Sequence, residues 1–537
     1  MMLRSTLRSL VPAGLASALA LALPLQAQTL SDLRADPSPN RVLTYGMGYS
    51  NQRYSPLQRI DKRNVARLVP VWNYSLNNSQ SQESQPVVYE GTMYVTTHTS
   101  TVAIDALTGR QVWKQDLEFA SDVAKMACCG LLNRGVAILN GKIYRTTLDS
   151  NVIAYDAKTG KQLWKSQAAD YKEGHAMTGA PLIANGVLMT GIAGGEYGTR
   201  GFIDGWDPET GKRLWRLYTT ALPGEKGGDT WPGDTAQKGG APTWLTGAYD
   251  PDLDLVYWGT GNGGPWNAEA RKGDNLYVDS VLAFRPKTGE LVWHYQFSPN
   301  DPFDYDSTEV GMLIDLKIDG TTRKVLAQAN RNGFFYVLDR ITGELLLAKP
   351  FVEQLTWASG VGPDGRPQVL SGAEPTPAGA KVCPAVEGAT NWMSTAYNPE
   401  TGLFYVMALE KCVIYSKSPA PWERGKSFYG GATREAHDEP GRKYLRAIEA
   451  RTGKIVWQYQ QTGPGNSWGG VLSTAGGIVF FGDDSGAIAA VEAKSGKLLE
   501  YFHTNEMWKA SPMTYMASGK QYVAVAAGSN ILAFGLP

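Results

Sequence analysis

Short runs of β-branched and aromatic residues, each closed by a polar D-x-x-T-G turn, recur along the chain. Residues 102–113 read VAIDALTGRQVW, 152–164 VIAYDAKTGKQLW, 202–215 FIDGWDPETGKRLW and 281–293 VLAFRPKTGELVW. The series continues with 335–347 (FYVLDRITGELLL), 445–457 (LRAIEARTGKIVW) and 488–500 (IAAVEAKSGKLLE). Each unit predicts a strand, a tight turn and a second strand. Glycine supplies the positive φ of the turn, while Asp and Thr hydrogen-bond its backbone. Four residues after the glycine stands a large side chain: Trp113, Trp164, Trp215, Trp293 or Trp457, with Leu347 and Glu500 as departures. A side chain fixed at one place in every repeat predicts an anchor between neighbouring sheets. Arg285 departs in another way, standing where the turn aspartate is expected.

Seven such turns are present, and Trp72 in NVARLVPVW (64–72) supplies an eighth anchor without a turn of its own. An N-terminal strand without its hairpin partner predicts ring closure, the first and last segments completing one sheet. Radial closure also protects sheet edges. The expected fold is therefore all-β, an eight-bladed β-propeller with tryptophan-docking repeats. A seven-bladed ring with an irregular N-terminal arm is the runner-up, and an open solenoid fits less well because no polar cap repeat is present. The spacings Trp215–Trp293 and Leu347–Trp457 greatly exceed the 51 residues between Trp113 and Trp164. Insertions there are expected on one face, carrying function.

The N-terminus has Arg4 and Arg8, an apolar run from Leu10 to Leu25 and small residues near Ala27. That is the layout of a secretory signal. The expected organisation is a signal peptide over 1–27 and one propeller domain over 28–537. No later run reaches the ~18 uncharged apolar residues of a membrane span, so the mature chain is expected in the periplasm. With 51 basic and 51 acidic residues, the net charge of zero gives no basic face for nucleic acid. Sixty glycines, 16 tryptophans and 26 tyrosines agree with many turns between aromatic-rich strands.

Two cysteines are adjacent, Cys128 and Cys129, within MACCGLLNR (126–134). Neighbouring α-carbons lie about 3.8 Å apart, below the usual disulfide span. A bond between them would form a strained, readily reduced ring that adds almost no chain-entropy stabilisation. Such a bond suits a site better than a staple. Four cysteines permit three complete pairings, all open at this point. The five histidines have no metal-ligand spacing, and neither C-x-x-C-H nor a P-loop occurs, so zinc, covalent haem and nucleotide sites lack support. Carboxylates and amides remain: Glu196 in AGGEYGTRG (193–201), Asn262 in GTGNGGPW (259–266), and Asp301, Asp304 and Asp306 in NDPFDYD (300–306). Singly, each acidic residue is more often a solvated turn residue than a ligand. Together they form an all-oxygen set suited to a hard cation.

These segments, in this order, resemble the quinoprotein alcohol dehydrogenases that use pyrroloquinoline quinone (PQQ), the methanol and ethanol dehydrogenase large-subunit family. The resemblance covers essentially the whole mature length. It includes the paired cysteines with Asn133 and Arg134, the GGEYGTRG bend, GTGN and NDPFDYD. It also includes NRNGFFYVLDR (330–340), Asn391–Trp392, and Trp468 with Gly469, Gly470 and Val471. The resemblance implies a Cys128–Cys129 disulfide as the ceiling over the quinone, Trp244 as its floor, and a second, structural disulfide Cys383–Cys412. It implies that Glu83, Arg134, Thr178, Gly194 and Gly195 reach the cofactor's carboxylates and edge. Asn391 and Trp468 would line the rim, and Arg331 would bond the reactive carbonyl region. A calcium-like ion would be held by Glu196, Asn262 and Asp304, acting as a Lewis acid. Asp304 is the implied general base, taking the alcohol proton as hydride passes to the quinone and giving an aldehyde or ketone.

Asp306, two residues beyond that base, is the arrangement associated with lanthanide-using members. A trivalent ion of nearly calcium's size would be balanced by one further carboxylate. Electrons would leave through a separate acceptor such as a periplasmic cytochrome c. Two other readings stand beside this one: a non-catalytic periplasmic propeller scaffold, and a PQQ sugar or polyol dehydrogenase on the same fold.

Overall fold

A computed structural model describes residues 29–438, 440–463, 467–504 and 506–537. The expected signal peptide, 1–27, lies outside these residues. Among them the fold is all-β, with eight principal sheets of four antiparallel strands, the 471–503 sheet carrying Tyr54–Ser55 as a fifth, parallel strand; they span 87–116, 137–167, 182–218, 248–296, 312–350, 396–460, 471–503 and 513–535. The last of these takes its fourth strand from the N-terminal side of the chain. Val69–Ser75 pairs antiparallel with Asn530–Gly535, placing Val69 opposite Gly535. Two smaller sheets lie within the long insertion that follows Leu347.

Turn chemistry sets each outer hairpin. Asp105 Oδ1 accepts from the backbone N–H of Leu107 and Thr108 and from the Thr108 hydroxyl, at 3.0, 2.8 and 2.9 Å. Asp156 repeats this with Lys158 and Thr159. A β-bulge then falls opposite the anchor: Trp113 pairs with Ala103 but Gln111 pairs with Ile104, so Val112 has no partner. The extra residue re-aims the strand. It turns the tryptophan inward and leaves the preceding apolar residue outside, which explains the exposure of Val112, Leu163, Leu214, Val292 and Val456.

Each inward indole meets the turn of the next repeat. Trp72, Trp113, Trp164, Trp215 and Trp457 donate Nε1–H to the carbonyls of Ala106, Ala157, Pro208, Pro286 and Ala493, at 3.2, 2.8, 3.2, 3.1 and 3.1 Å. A Cβ added at Gly160 would stand 2.7 Å from the Trp113 ring, so this glycine is required by close approach as well as by its φ of 71°. At Leu347 the neighbouring turn glycine, Gly453, is approached by Leu347 and the Lys349 stem instead. Trp113 is 7% exposed. Trp113→Ala should therefore destabilise the fold by about 3–5 kcal/mol, since a large buried ring is lost and its cavity cannot fully collapse. Denaturant midpoints of the variant and parent chains measure this.

The apolar cores run from sheet to sheet and close on themselves. One cluster joins the first four sheets, from Val87 to Phe284. Three more link each of the following neighbours in turn. The last packs Phe480, Val525 and Trp72 against Val95 and Ile104 of the first sheet. Arg53, 1% exposed, reinforces closure by donating to the carbonyls of Tyr45, Val471 and Pro512.

Candidate active site

In an antiparallel sheet the start of the first strand, the end of the second and the start of the third share one end. The loops at that end of all eight sheets converge on one cavity of about 390 Å³. Glu83 comes from ahead of Val87–Tyr89, and Cys128, Cys129 and Arg134 from ahead of Ala137–Leu139. Thr178, Gly194 and Glu196 belong to the third sheet, and Trp244 to the fourth. Asp304, Asp306 and Arg331 belong to the fifth. Asn391, Trp392, Trp468 and Lys509 come from the remaining three. The first long insertion thus carries Trp244 and Asn262 and the second carries Asn391, whereas Asp304 and Arg331 arise from a repeat of ordinary length.

Opposite charges chain these residues together. Arg134 pairs with Glu83 at 2.8 Å, both buried, and donates to the Thr178 hydroxyl at 2.9 Å. Its guanidinium lies 4.7 Å over the Trp244 ring. The Trp244 indole N–H donates to Asp306 Oδ2 at 3.1 Å. Asp306 also accepts from Arg331 Nη1 at 2.5 Å and from the Asn262 backbone N–H at 2.7 Å. Arg331 Nη2 reaches Asp304 Oδ2 at 3.2 Å and also donates to the Val386 carbonyl.

Asp301 shapes the loop that presents Asp304. Its two oxygens accept the backbone N–H groups of Phe303 and Tyr305 at 3.1 and 2.9 Å. Asp304 between them has a φ of 63°, a left-handed conformation that aspartate tolerates better than most residues. Its Oδ1 is buried without a hydrogen-bond partner among the described residues. Burial raises the Asp304 pKa well above the carboxylate range, and the Asp306 and Glu196 charges add to this against Arg331. Burial first, then Asp306, pushes Glu196 up to about 7. Asp304, Asp306 and Glu196 thus surround one guanidinium, with the buried Glu309 a further carboxyl acting on it. The Asn262 side chain is buried beside Glu196, its Oδ1 without a hydrogen-bond partner among the described residues. These orphaned oxygens in a net-negative pocket are what a bound cation would satisfy.

Asp301, Asn133 and the Cys383–Cys412 pair do not line this cavity; of the residues expected at the cofactor or the ion, all but Gly195 and Asn262 do. Those two lie just behind it, where a Cβ on Gly195 would stand 2.6 Å from Asn262 Oδ1. Cys128 and Cys129 are bonded to each other, Cα–Cα 3.8 Å, and their sulfurs come within 4.8 Å of a Glu196 oxygen. Cys383 is bonded to Cys412. The Asn391 amide is engaged by its own loop, donating to the Glu387 carbonyl and accepting from the Trp392 N–H, at 2.8 and 2.9 Å. Sequence reasoning named Trp392 beside Asn391 but gave it no place in the site; it stacks on Trp468 at 4.9 Å and 25°. Like Trp244 and Trp468 it falls outside the repeat register, so the same signal would have found it. For Lys509 no sequence signal existed.

Comparison with known proteins gives a consistent result. A family model described as PQQ: glucose/ethanol/alcohol dehydrogenase, beta-propeller domain, matches residues 43–362 and 461–523. The chain is 39% identical over 525 residues to the quinoprotein alcohol dehydrogenase PedH of Pseudomonas putida, covering 93% of this chain and 88% of that one. It is 42% identical over 506 residues to the quinohemoprotein alcohol dehydrogenase ADH IIB of Pseudomonas putida, covering 90% and 73%. A solved structure of a europium-containing methanol dehydrogenase superposes with a TM-score of 0.88 at 33% identity, covering 93% of this chain and 99% of that one. On these matches, which agree with its all-β fold and the charged cavity described above, the chain belongs to the PQQ-dependent quinoprotein alcohol dehydrogenase family.

Proposed function

We propose that the mature chain, residues 28–537 after a 1–27 signal peptide, is one eight-bladed, tryptophan-docked propeller in the periplasm. It oxidises alcohols to aldehydes or ketones and passes electrons to a separate acceptor such as a cytochrome c. The observation that carries this reading is the cavity itself. All eight sheets feed it, an acidic cluster surrounds Arg331 on one side, and cations gather by Glu83 on the other.

The residues fit a flat, tricarboxylate quinone and a hard ion. Trp244 and the Cys128–Cys129 disulfide would flank the rings, with Trp468 and Asn391 at the rim. Arg134, Thr178, Glu83, Gly194 and Gly195 would meet the carboxylates and edge. Glu196, Asn262, Asp304 and Asp306 would hold a calcium or lanthanide ion. When bound, PQQ with its ion supplies a polarised carbonyl that accepts hydride from the alcohol carbon. The chain's own part is proton transfer and positioning. Asp304 offers its unpartnered Oδ1 to the alcohol hydroxyl while Arg331 fixes its other oxygen. A cation beside Glu196 and Asp306 offsets the repulsion that disfavours an ionised Asp304. Arg331 also supplies positive charge beside the centre where negative charge develops.

Protein produced without cofactor, then given PQQ with calcium or lanthanum, should reduce an artificial dye only when an alcohol is present. A panel of primary alcohols, polyols and sugars tests the substrate class. PQQ uptake without turnover on any of them would indicate a scaffold, and faster turnover on sugars or polyols would reassign the substrate.

A further inference from the structure

The cavity carries one lysine that none of the roles above uses. Lys509 lies in the loop ahead of Met513–Ala517 and is half-buried in the cavity wall. Its Nζ stands 5.6 Å from the Trp468 ring centroid and 5.9 Å from that of Trp392. The Trp392 indole N–H donates to the Lys509 carbonyl at 3.3 Å, so this loop and the stacked rings are held as a unit. Among the described residues the ammonium itself makes no hydrogen bond or ion pair. Burial lowers its pKa, with the Glu83 charge acting in the opposite direction. Glu83 is already paired, at 2.8 Å, with Arg134.

This side of the cavity therefore holds two cations for one carboxylate, the reverse of the cluster around Arg331. Asp484 also acts on the ammonium, but it pairs with Lys443 at 2.8 Å as Glu83 does with Arg134, so a half-buried ammonium packed against two indole rings is under-compensated, and an anionic group completes it. Lys509 enters the cavity from the eighth sheet and Asp304 from the fifth. Resting on the PQQ reading above, we propose that Lys509 is a further cofactor-binding residue, its ammonium pairing with a carboxylate of PQQ at the cavity mouth. The two oppositely charged sides then orient the flat cofactor, carboxylate towards Lys509 and reactive carbonyl towards the acidic cluster.

The test is a PQQ titration of the metal-loaded, cofactor-free chain, read by equilibrium dialysis at several salt concentrations. Wild type, Lys509→Gln and Lys509→Arg are compared. Lys509→Gln should bind PQQ at least about tenfold more weakly, as expected for loss of a charge-assisted bond. It should also show a shallower salt dependence, while Lys509→Arg stays within about threefold of wild type. Equal weakening of both variants, with the salt dependence unchanged, would reduce Lys509 to packing and overturn the proposal. Wild-type affinity in Lys509→Gln would overturn it too, and a raised KM confined to carboxylate-bearing alcohols would then assign Lys509 to the substrate. If the wild-type chain takes up no PQQ, both this inference and the proposed function fail. Uptake by wild type with no difference in Lys509→Gln overturns this inference alone.

Discussion

Asp304→Asn is expected to lose about 10²–10⁴ of turnover, the usual contribution of a positioned general base, while still binding PQQ. The substitution keeps the shape of the side chain and an oxygen that can face Arg331. Asparagine also accepts the left-handed backbone at position 304, whose φ is 63°. What it removes is the ability of Oδ1, buried and unpartnered, to take a proton. Turnover per bound PQQ, measured in the variant and the parent chain, decides the matter. Near-parental turnover would mean that another group accepts the proton. Asp301, its neighbour in NDPFDYD, is poorly placed to do so, since both of its oxygens already accept backbone N–H groups.

The second large effect concerns the metal. Asp306→Asn should lower lanthanum-supported turnover by on the order of 10², towards the upper end of what loss of a metal-site partner costs. Calcium-supported turnover should fall less than about tenfold by the same reasoning. Asparagine keeps the shape and one acceptor oxygen, which can serve the Asn262 N–H, while its amide replaces the oxygen that faces the Trp244 indole and Arg331, so the change removes one negative charge and that second acceptor. A trivalent ion needs that charge more than a divalent one does. Asp306→Ala, which also removes the acceptors, should be worse with both ions. Turnover of each variant after reconstitution with calcium or lanthanum gives the comparison. If both ions lose activity equally in Asp306→Asn, the carboxylate serves only to seat Arg331, its partner at 2.5 Å. The lanthanide reading would then be wrong.

The repeats were legible because their determinants are local. In DALTG and DAKTG the Asp, Thr and Gly bond within a few residues of themselves, so each turn forms as written wherever it sits. The Trp72 strand was readable as an incomplete hairpin, and it pairs with the last strand of the chain. Burial was not legible in the same way. An isolated aspartate in a glycine-rich stretch usually faces water, yet Asp301, Asp304 and Asp306 are 2%, 9% and 4% exposed. Only loops from eight separate sheets, brought together by ring closure, could bury them. The same geometry explains Trp392 and Lys509, which meet Trp468 from three different sheets. The motif order that resembles the quinoprotein family supplied the other cavity residues, which pattern and spacing alone would have left as turn polar groups.

Pairing of Val69–Ser75 with Asn530–Gly535 also constrains when the molecule can come into being. A chain is made from its N-terminus, so that first strand waits with an open edge until nearly every other residue has emerged. Joining ends so distant in sequence is slow compared with local hairpin formation. The cavity wall is likewise unfinished until Lys509 arrives. A nascent or truncated chain thus offers the quinone an incomplete pocket and presents an unpaired strand to its neighbours. Loading with cofactor follows completion of the ring, and shortening the C-terminus by a single strand should abolish uptake and promote self-association together.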